Sequence, residues 1–482
     1  MNDVKKAVMT NWRWVMCAML FFATTINYLD RQVLSLTFKE FIQPEFHWTD
    51  SDYGTITGVF SIAYAIFCLF AGKFIDWMGT KKGYLIAIIV WSLGAVMHAT
   101  CGIVTTWFIP GIDSVAALRA LEAGSALASS VAMISVWLFL ACRMILGLGE
   151  AGNFPAAIKV TAEYFPKKDR AFATSIFNAG ASVGALAAPA TIPLLAKAWG
   201  WEWAFIIIGA LGFIWAAVWI FVYDKPAQSK HVNQAELQYI NQDEQQTEQP
   251  VATEEKQMSF LKAFTYRQTW SFAFGKFMTD GVWWFFLFWA PAYFQDQFGI
   301  KASDPQGIAL IFTLYAIVTV VSLFGGYLPK IFVEKKGMEP YAGRMLAMLI
   351  FAFFPVLALF AQPLGGIFGP WAVAIIIGIV GAAHQSWSAN IFSTTGDMFP
   401  KYAIATITGI GAMAGGIGSF IINKGSGVLF DYAAQQADNF AFMGFTGKPA
   451  AYMIVFCICA VAYLIGWIVM KALVPKYKPI QD

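Results

Sequence analysis

Residues 69–83 read LFAGKFIDWMGTKKG, and residues 323–337 repeat them without a gap as LFGGYLPKIFVEKKG. Each copy is the end of an apolar stretch followed by a short basic loop. A second pair, EYFPK at 163–167 and DMFPK at 397–401, repeats at a similar offset. Internal repeats in parallel orientation are typical of membrane transporters built from two related halves. The repeat therefore predicts an all-α integral membrane protein with twelve transmembrane helices in two pseudo-symmetric six-helix bundles.

The composition agrees with a membrane protein. The chain is 58% hydrophobic and 13% charged, with a mean hydropathy of +0.60, far from the average of soluble proteins. Apolar stretches long enough to cross a bilayer recur along the whole chain. We predict spans at roughly 14–36, 53–72, 84–107, 131–154, 171–197, 203–223, 270–296, 306–330, 344–361, 370–393, 402–423 and 450–473.

The distribution of Lys and Arg predicts the orientation. Most of the 32 basic residues fall in the head, the tail and the even-numbered loops between spans. Basic loops mark the cytoplasmic side, so we expect both termini in the cytoplasm and the chain in the inner (plasma) membrane, with the lipid bilayer as its surroundings. The net charge of +3 follows from this asymmetry and does not indicate a nucleic-acid partner.

Three segments organise the chain. We predict a first bundle at 1–223, a polar cytoplasmic linker at 224–267, in which Asn233 and Glu236 can cap a short helix, and a second bundle at 268–482. The first half is longer between the two repeat anchors, and residues 109–130 supply the surplus. A single extra span would invert every later loop, so we expect an external loop there, with a short helix begun at Asp113 or Ser114.

Ionisable residues inside spans one and four are the first candidates for chemistry. Asp30 and Arg31 lie deep in the first span, and Arg143 and Glu150 lie seven positions apart on one face of the fourth. Such residues are costly in a membrane and normally face the interior of the bundle. Arginine binds carboxylates through both oxygens, which suggests an anionic substrate that competes with internal carboxylates. Interhelical ion pairs that only fix the packing are the alternative.

Spans seven and ten carry further polar and aromatic residues. Lys276 and Asp280 are four residues apart and can pair locally. The tryptophans Trp283, Trp284 and Trp289 suggest a platform for a sugar ring, with packing or anchoring at the membrane interface as the alternative. The motif HQSWSAN at 384–390 places several polar groups on one span, which favours a cavity for a hydroxylated ligand. The six cysteines show no metal-ligand spacing and no disulfide framework, and no cofactor is expected.

The segment at 72–82 resembles the loop motif of the major facilitator superfamily, and the chain as a whole resembles its anion:cation symporter family. The resemblance implies a gate latch formed by Gly72, Asp76, Gly79 and Lys81. The helix-five motif of drug antiporters is absent from 178–185. That absence favours symport over efflux.

Five motifs resemble the hexuronate transporters: NYLDR at 27–31, GEAGNFP at 149–155, EYFPKKDRA at 163–171, KFMTDGVWWF at 276–285 and HQSWSAN at 384–390. The resemblance implies that Arg31 and Arg143 bind the carboxylate of a sugar acid and that Asp30 and Glu150 carry protons. It implies that the hydroxyl groups are held by Tyr28, Tyr64, Asn178, Trp387 and Asn390.

We therefore expect import of a small sugar-acid anion, a hexuronate such as glucuronate or galacturonate, with a co-transported proton and by alternating access. A single chain is expected to be sufficient. A sodium-coupled or exchange carrier of another organic anion, such as galactonate or glucarate, is the alternative. An enzyme is not expected, because the sequence shows no metal cluster, nucleophile elbow or paired catalytic histidines.

Overall fold

The computed structural model describes residues 9–243, 258–325 and 327–480. Within them the chain is almost entirely helical, with twelve long helices that we number in chain order: α1 (Trp12–Thr37), α2 (Asp50–Met78), α3 (Thr80–His98), α4 (Ala126–Glu150), α5 (Lys167–Trp199), α6 (Trp201–Val222), α7 (Arg267–Phe298), α8 (Pro305–Gly325), α9 (Pro340–Phe353), α10 (Pro370–Met398), α11 (Lys401–Gln436) and α12 (Gly447–Leu473).

Shorter elements connect or extend these helices. They are a π-helical turn (Phe38–Ile42), short α-helices (Gln43–Phe46, Cys101–Trp107, Val115–Arg119, Asn153–Tyr164, Gln234–Ile240, Phe260–Ala263, Leu328–Lys336 and Ala361–Phe368) and 3-10 turns (Pro226–Gln228, Asn241–Asp243, Phe354–Phe360 and Ala437–Asn439). Two short strands, β1 (Ala441–Phe442) and β2 (Phe445–Thr446), pair antiparallel before α12.

Ten helical stretches in the described part of the chain are long and apolar enough to cross a membrane. The two long helices outside that set are α1 and α7, which carry the charged residues Asp30, Arg31, Lys276 and Asp280. These charges lower the mean hydropathy of the two helices. The count of twelve spans stays a prediction.

Helices of the first half (α1–α6) pack directly against helices of the second (α7–α12). The closest such contact joins α2 to α11, where glycines remove the side chains between the backbones. A Cβ atom at Gly54 would lie 2.5 Å from the carbonyl oxygen of Asn423, and one at Gly427 would lie 2.3 Å from that of Asp50. Small residues at helix crossings permit this approach in membrane proteins.

The helices run between two opposite sides of the molecule. We call the side where α1 begins and α12 ends the terminus side, and the side where α2 and α12 begin the far side.

On the far side, the short helix Val115–Arg119 is capped by the hydroxyl of Ser114, which accepts from the amide of Ala117 at 3.2 Å. This confirms the short helix predicted at Asp113 or Ser114. Arg119 pairs with Glu45 and holds the insertion against the first half.

The predicted linker helix is also confirmed. Gln234–Ile240 is helical, and the Asn233 side chain accepts from the amide of Glu236 at 2.9 Å. Glu236 is buried, accepts from the backbone amides of Trp12 and Arg13 and from the Thr10 hydroxyl, and pairs with the Arg13 guanidinium at 3.0 Å. Burial raises the pKa of this carboxyl group, but these hydrogen bonds outweigh burial and lower it.

This part of the linker is therefore docked on the amino end of α1, whereas its composition predicted a solvated segment. The sequence shows the cap but not its docking partner. The Gln- and Glu-rich run of the predicted linker lies at 244–249, outside the described residues. The boundaries of the three predicted segments stay a prediction.

Candidate functional site

A cavity of about 410 Å³ lies between the two halves of the molecule. Helices of both halves line it, with side chains that are aromatic, aliphatic, small or neutral and polar. The lining residues are Tyr28, Phe154, Asn178, Ala181, Ser182, Ala185, Trp283, Leu287, Tyr315, Val318, Thr319, Ser322, Gln385, Ser388, Ala389 and Phe392. Hydroxyl and amide groups around an aromatic wall suit a compact polyhydroxylated ligand.

Three predicted site residues, Tyr28, Asn178 and Trp283, are part of this lining. Trp283 is held in place by His384, whose ring stacks on it with centroids 5.4 Å apart and planes within 2°. His384 in turn is within 2.7 Å of the Tyr463 hydroxyl through Nδ1. The indole therefore presents a fixed face to the cavity.

The register of α10 decides which polar residues of HQSWSAN line the cavity. Gln385, Ser388, Ala389 and Phe392 follow helical spacing on the cavity face. Trp387, predicted to hold a hydroxyl group, is fully buried with its ring 5.5 Å from that of Tyr463. Asn390, predicted likewise, donates from Nδ2 to the carbonyl oxygen of Ser386 in its own helix at 2.8 Å. Both lie outside the cavity lining.

Arg31 pairs with Glu150 across two helices of the first half. Its Nη2 and Nε atoms donate to Glu150 Oε2 at 2.9 Å and 3.2 Å. Three aromatic rings surround the guanidinium, with centroids 4.7 to 5.3 Å from Cζ: those of Tyr28, Tyr64 and Trp284. Tyr28 also lines the cavity, so this ion pair lies directly behind the cavity wall.

Arg143 and Asp30 are buried close to this pair, and several of their polar side-chain atoms have no hydrogen-bond partner among the described residues. Within the described chain, neither Nη atom of Arg143 and neither carboxylate oxygen of Asp30 has a hydrogen-bond partner, and Glu150 Oε1 also has none. The Arg143 guanidinium lies 5.2 Å from the Phe60 ring centroid. Unsatisfied buried charges are costly and mark functional positions in membranes. These groups have free capacity to bind an anion or a proton.

Trp284 contacts the guanidinium of Arg31, a role that the sequence did not predict, because the tryptophans of α7 were considered there only as a sugar platform or as packing and interface residues. The sequence shows two adjacent tryptophans, but it cannot tell which one faces Arg31 and which faces the cavity. In the structure, Trp283 lines the cavity and Trp284 packs against the guanidinium of Arg31. Gln385 and Ser388 were missed as individual site residues for the same reason of helix register.

In the second half, Lys276 and Asp280 form the local ion pair that their spacing predicted, with Nζ 2.8 Å from Oδ2. The predicted local pairing is confirmed.

Four charged residues join the two halves on the far side. Lys39 lies 3.1 Å from Asp50 and 3.0 Å from Asp296, and Lys448 lies 2.5 Å from the same two carboxylates. We call these four residues the far-side ring. Lys39 and Asp50 belong to the first half, and Asp296 and Lys448 to the second. The ring closes the far side of the interface between the halves.

The predicted gate residues lie on the terminus side, and the ion pairs found for them join the first half to itself and to the residue at the start of the predicted linker. Asp76 pairs with Lys159 at 2.7 Å, and Lys81 pairs with Asp224 at 2.8 Å. Gly79 has φ of +77° in the turn between α2 and α3, a conformation that glycine adopts readily. A Cβ atom at Gly72 would meet no atom of the described residues within 4 Å.

Residues 20–422 match the family model of the Major Facilitator Superfamily. The chain belongs to this superfamily. It is 28% identical over 419 residues to the hexuronate transporter of Escherichia coli K12, covering 87% of this chain and 88% of that one. It is 28% identical over 355 residues to the galacturonate transporter of Dickeya chrysanthemi, covering 73% and 92%.

A solved structure gives the same fold. A bacterial homolog of the human lysosomal transporter Spinster, in an inward-facing and occupied conformation, has a TM-score of 0.66 at 16% identity, covering 98% of this chain and 99% of that one. The superfamily match confirms the predicted fold class and the prediction of a multi-pass membrane transporter. The predicted similarity to hexuronate transporters is likewise confirmed.

Proposed function

We propose that the protein imports a sugar acid, a hexuronate such as glucuronate or galacturonate, by proton symport across the inner membrane with both termini in the cytoplasm. The observation that carries this proposal is the Arg31–Glu150 ion pair behind the wall of a polar cavity between the halves. An arginine held by an internal carboxylate is available to an external carboxylate once the internal one is neutralised. The hexuronate and galacturonate transporters among the relatives support the substrate class.

Proton coupling follows from this competition. A proton that enters from outside neutralises Glu150, which releases Arg31 to the carboxylate of the substrate. Asp30 and Arg143 are an acid and a base buried near this pair, each with unsatisfied polar atoms, and they can respond in the same way. The proton and the anion then load together, because each stabilises binding of the other. We assign the substrate carboxylate to Arg31 and Arg143, and the protons to Glu150 and Asp30.

The sugar hydroxyl groups are assigned to the cavity. Tyr28, Asn178, Gln385 and Ser388 can donate to or accept from hydroxyl groups, and Trp283 offers a flat ring for the apolar face of a sugar. Tyr64 acts one step away, through the guanidinium of Arg31. With the far-side ring closed, the cavity faces the cytoplasm, and rocking of the two halves returns it to the outside.

Uptake of labelled glucuronate into proteoliposomes tests the proposal, with an inside-alkaline pH gradient and no sodium. Proton symport predicts accumulation that a protonophore abolishes. Arg143→Ala should abolish uptake, whereas Glu150→Gln should lose accumulation but keep exchange of internal for external glucuronate. Glu202→Gln, a change of an acid outside the cavity lining, is the matched control. Uptake that needs sodium, or uptake of galactonate or glucarate without glucuronate, would replace this proposal with the alternative carrier.

A further inference from the structure

The cavity face of α7 continues past the cavity toward the terminus side. Trp283 and Leu287 line the cavity. Lys276 and Asp280 precede them by seven residues each, a spacing of two helical turns, so all four side chains lie on the same helical face. Seven residues of helix separate Lys276 from Trp283, a rise of about 10 Å. The Lys276–Asp280 pair therefore stands beside the path between the cavity and the terminus side.

One aromatic ring of the cavity lining contacts this pair. Phe392 lines the cavity from α10, and the Lys276 ammonium lies 4.5 Å from the centroid of its ring. Asp280 is fixed on the opposite side, since it packs against α11 at Gly415, where a Cβ atom would lie 2.2 Å from Oδ2. The lysine thus contacts an acid that is held by close packing and an aromatic ring that lines the cavity.

The chemistry of lysine suits a moving anion. An ammonium group has three donors on a flexible stem, so it can change partners without a change in backbone position. An aspartate that is locked in place compensates the charge of the ammonium group when no substrate is present. Rotation of the Phe392 ring would present the lysine to the cavity.

We propose that Lys276 is a second carboxylate-binding residue, which takes the sugar-acid carboxylate from the arginines as the substrate passes toward the terminus side. This inference rests on the proposed function. Asp280 acts as the internal competitor of the substrate at Lys276, as Glu150 does at Arg31. The substrate thus meets a cation in each half of the molecule.

Equilibrium binding of glucuronate to the purified protein in nanodiscs tests this role. Lys276→Gln should raise the Kd at least about 10-fold, the value of one charged hydrogen bond. Asp280→Asn should lower the Kd, because it removes the competing carboxylate. A pair that only stabilises the fold predicts the same Kd for every variant that folds, and equal Kd values for both variants would overturn the inference.

A charge swap keeps the test decisive where a single change impairs folding. Lys276→Asp combined with Asp280→Lys preserves an ion pair on the same face but moves the cation by one helical turn. Our inference predicts weakened glucuronate binding in this double variant, and wild-type affinity would contradict it. Lys330 and Glu334 form an exposed pair with the same spacing, 3.7 Å apart, so Lys330→Gln and Glu334→Gln are matched controls that should bind normally.

If the proposed hexuronate function is wrong, the binding experiment gives a different result. The wild-type protein would then bind no glucuronate at all, and the same variants would be compared with galactonate and glucarate as probes. A dependence on Lys276 for either anion would support the second carboxylate site without the hexuronate assignment. Glucose, which has no carboxylate, should show no dependence on Lys276.

Discussion

Replacing Asp296 by asparagine removes one acid from the far-side ring and keeps its size. Asp296 contacts Lys39 of the first half and Lys448 of its own half. When the halves separate on the far side, the contact with Lys448 can persist, because both residues belong to the second half. The contact with Lys39 must break. The substitution therefore removes two charged contacts from the closed state but only one from the open state.

The magnitude follows from that difference. One charged hydrogen bond contributes about 1.5–3 kcal/mol, which corresponds to roughly 10- to 150-fold in the ratio of the two states. Asp296→Asn should shift the population toward the far-side-open state by this factor. The amide of asparagine can still accept a hydrogen bond from Lys39, so the lower end of the range is expected.

Alkylation of a cysteine between the halves measures the shift. Ser419 is fully buried, and its hydroxyl lies 3.2 Å from that of Ser61 on α2. With the six native cysteines replaced and Ser419→Cys introduced, a polar thiol reagent should label Asp296→Asn protein about 10-fold faster than its parent. Asp438→Asn changes an exposed acid on the same side and should leave the rate unchanged. Equal rates for the parent and Asp296→Asn would refute a locking role for the ring.

Two further predictions concern stability. Glu236→Gln should release the linker helix from α1 and speed amide hydrogen exchange at 234–240 by roughly 10-fold at neutral pH. The pKa of Glu236 is lowered in the folded protein. The contact should therefore be fully present above the ordinary glutamate pKa and be lost as the pH falls through the lowered pKa. Unchanged exchange in the variant would contradict the docking. Gly54→Ala should lower the melting temperature, since its Cβ would lie 2.5 Å from the Asn423 carbonyl oxygen and crowding of this kind costs about 1–3 kcal/mol. Gly72→Ala on the same helix has open space and should not lower it, so equal losses for both glycines would argue against the tight crossing.

The sequence located the charged residues of the site because charges in apolar spans are conspicuous. Asp30, Arg31, Arg143 and Glu150 were all identified in this way, and the local pair of Lys276 with Asp280 followed from helical spacing alone. The pairing of Arg31 with Glu150 did not follow, because spacing within one helix says nothing about which helices are neighbours. The structure shows that α1 and α4 are neighbours at Arg31 and Glu150.

Other features depend on rotation about a helix axis or on contacts between distant segments. The motif HQSWSAN predicted a polar face on α10, but a rotation of one residue decides between Ser388 and Trp387 as a cavity residue. The far-side ring joins Lys39 to Asp296 across more than half of the chain, and no local pattern links the two. The fold class, by contrast, rests on repeats and hydropathy, which are properties of the sequence itself.

The three rings around Arg31 do not all move together. Tyr28 and Tyr64 belong to the first half, whereas Trp284 belongs to α7 of the second. A change in the angle between the halves would take the indole away from the guanidinium and admit solvent, which weakens the attraction between Arg31 and Glu150 by raising the local dielectric constant. We therefore expect the position of the second half to set, through Trp284, the strength of the Arg31–Glu150 ion pair in the first half.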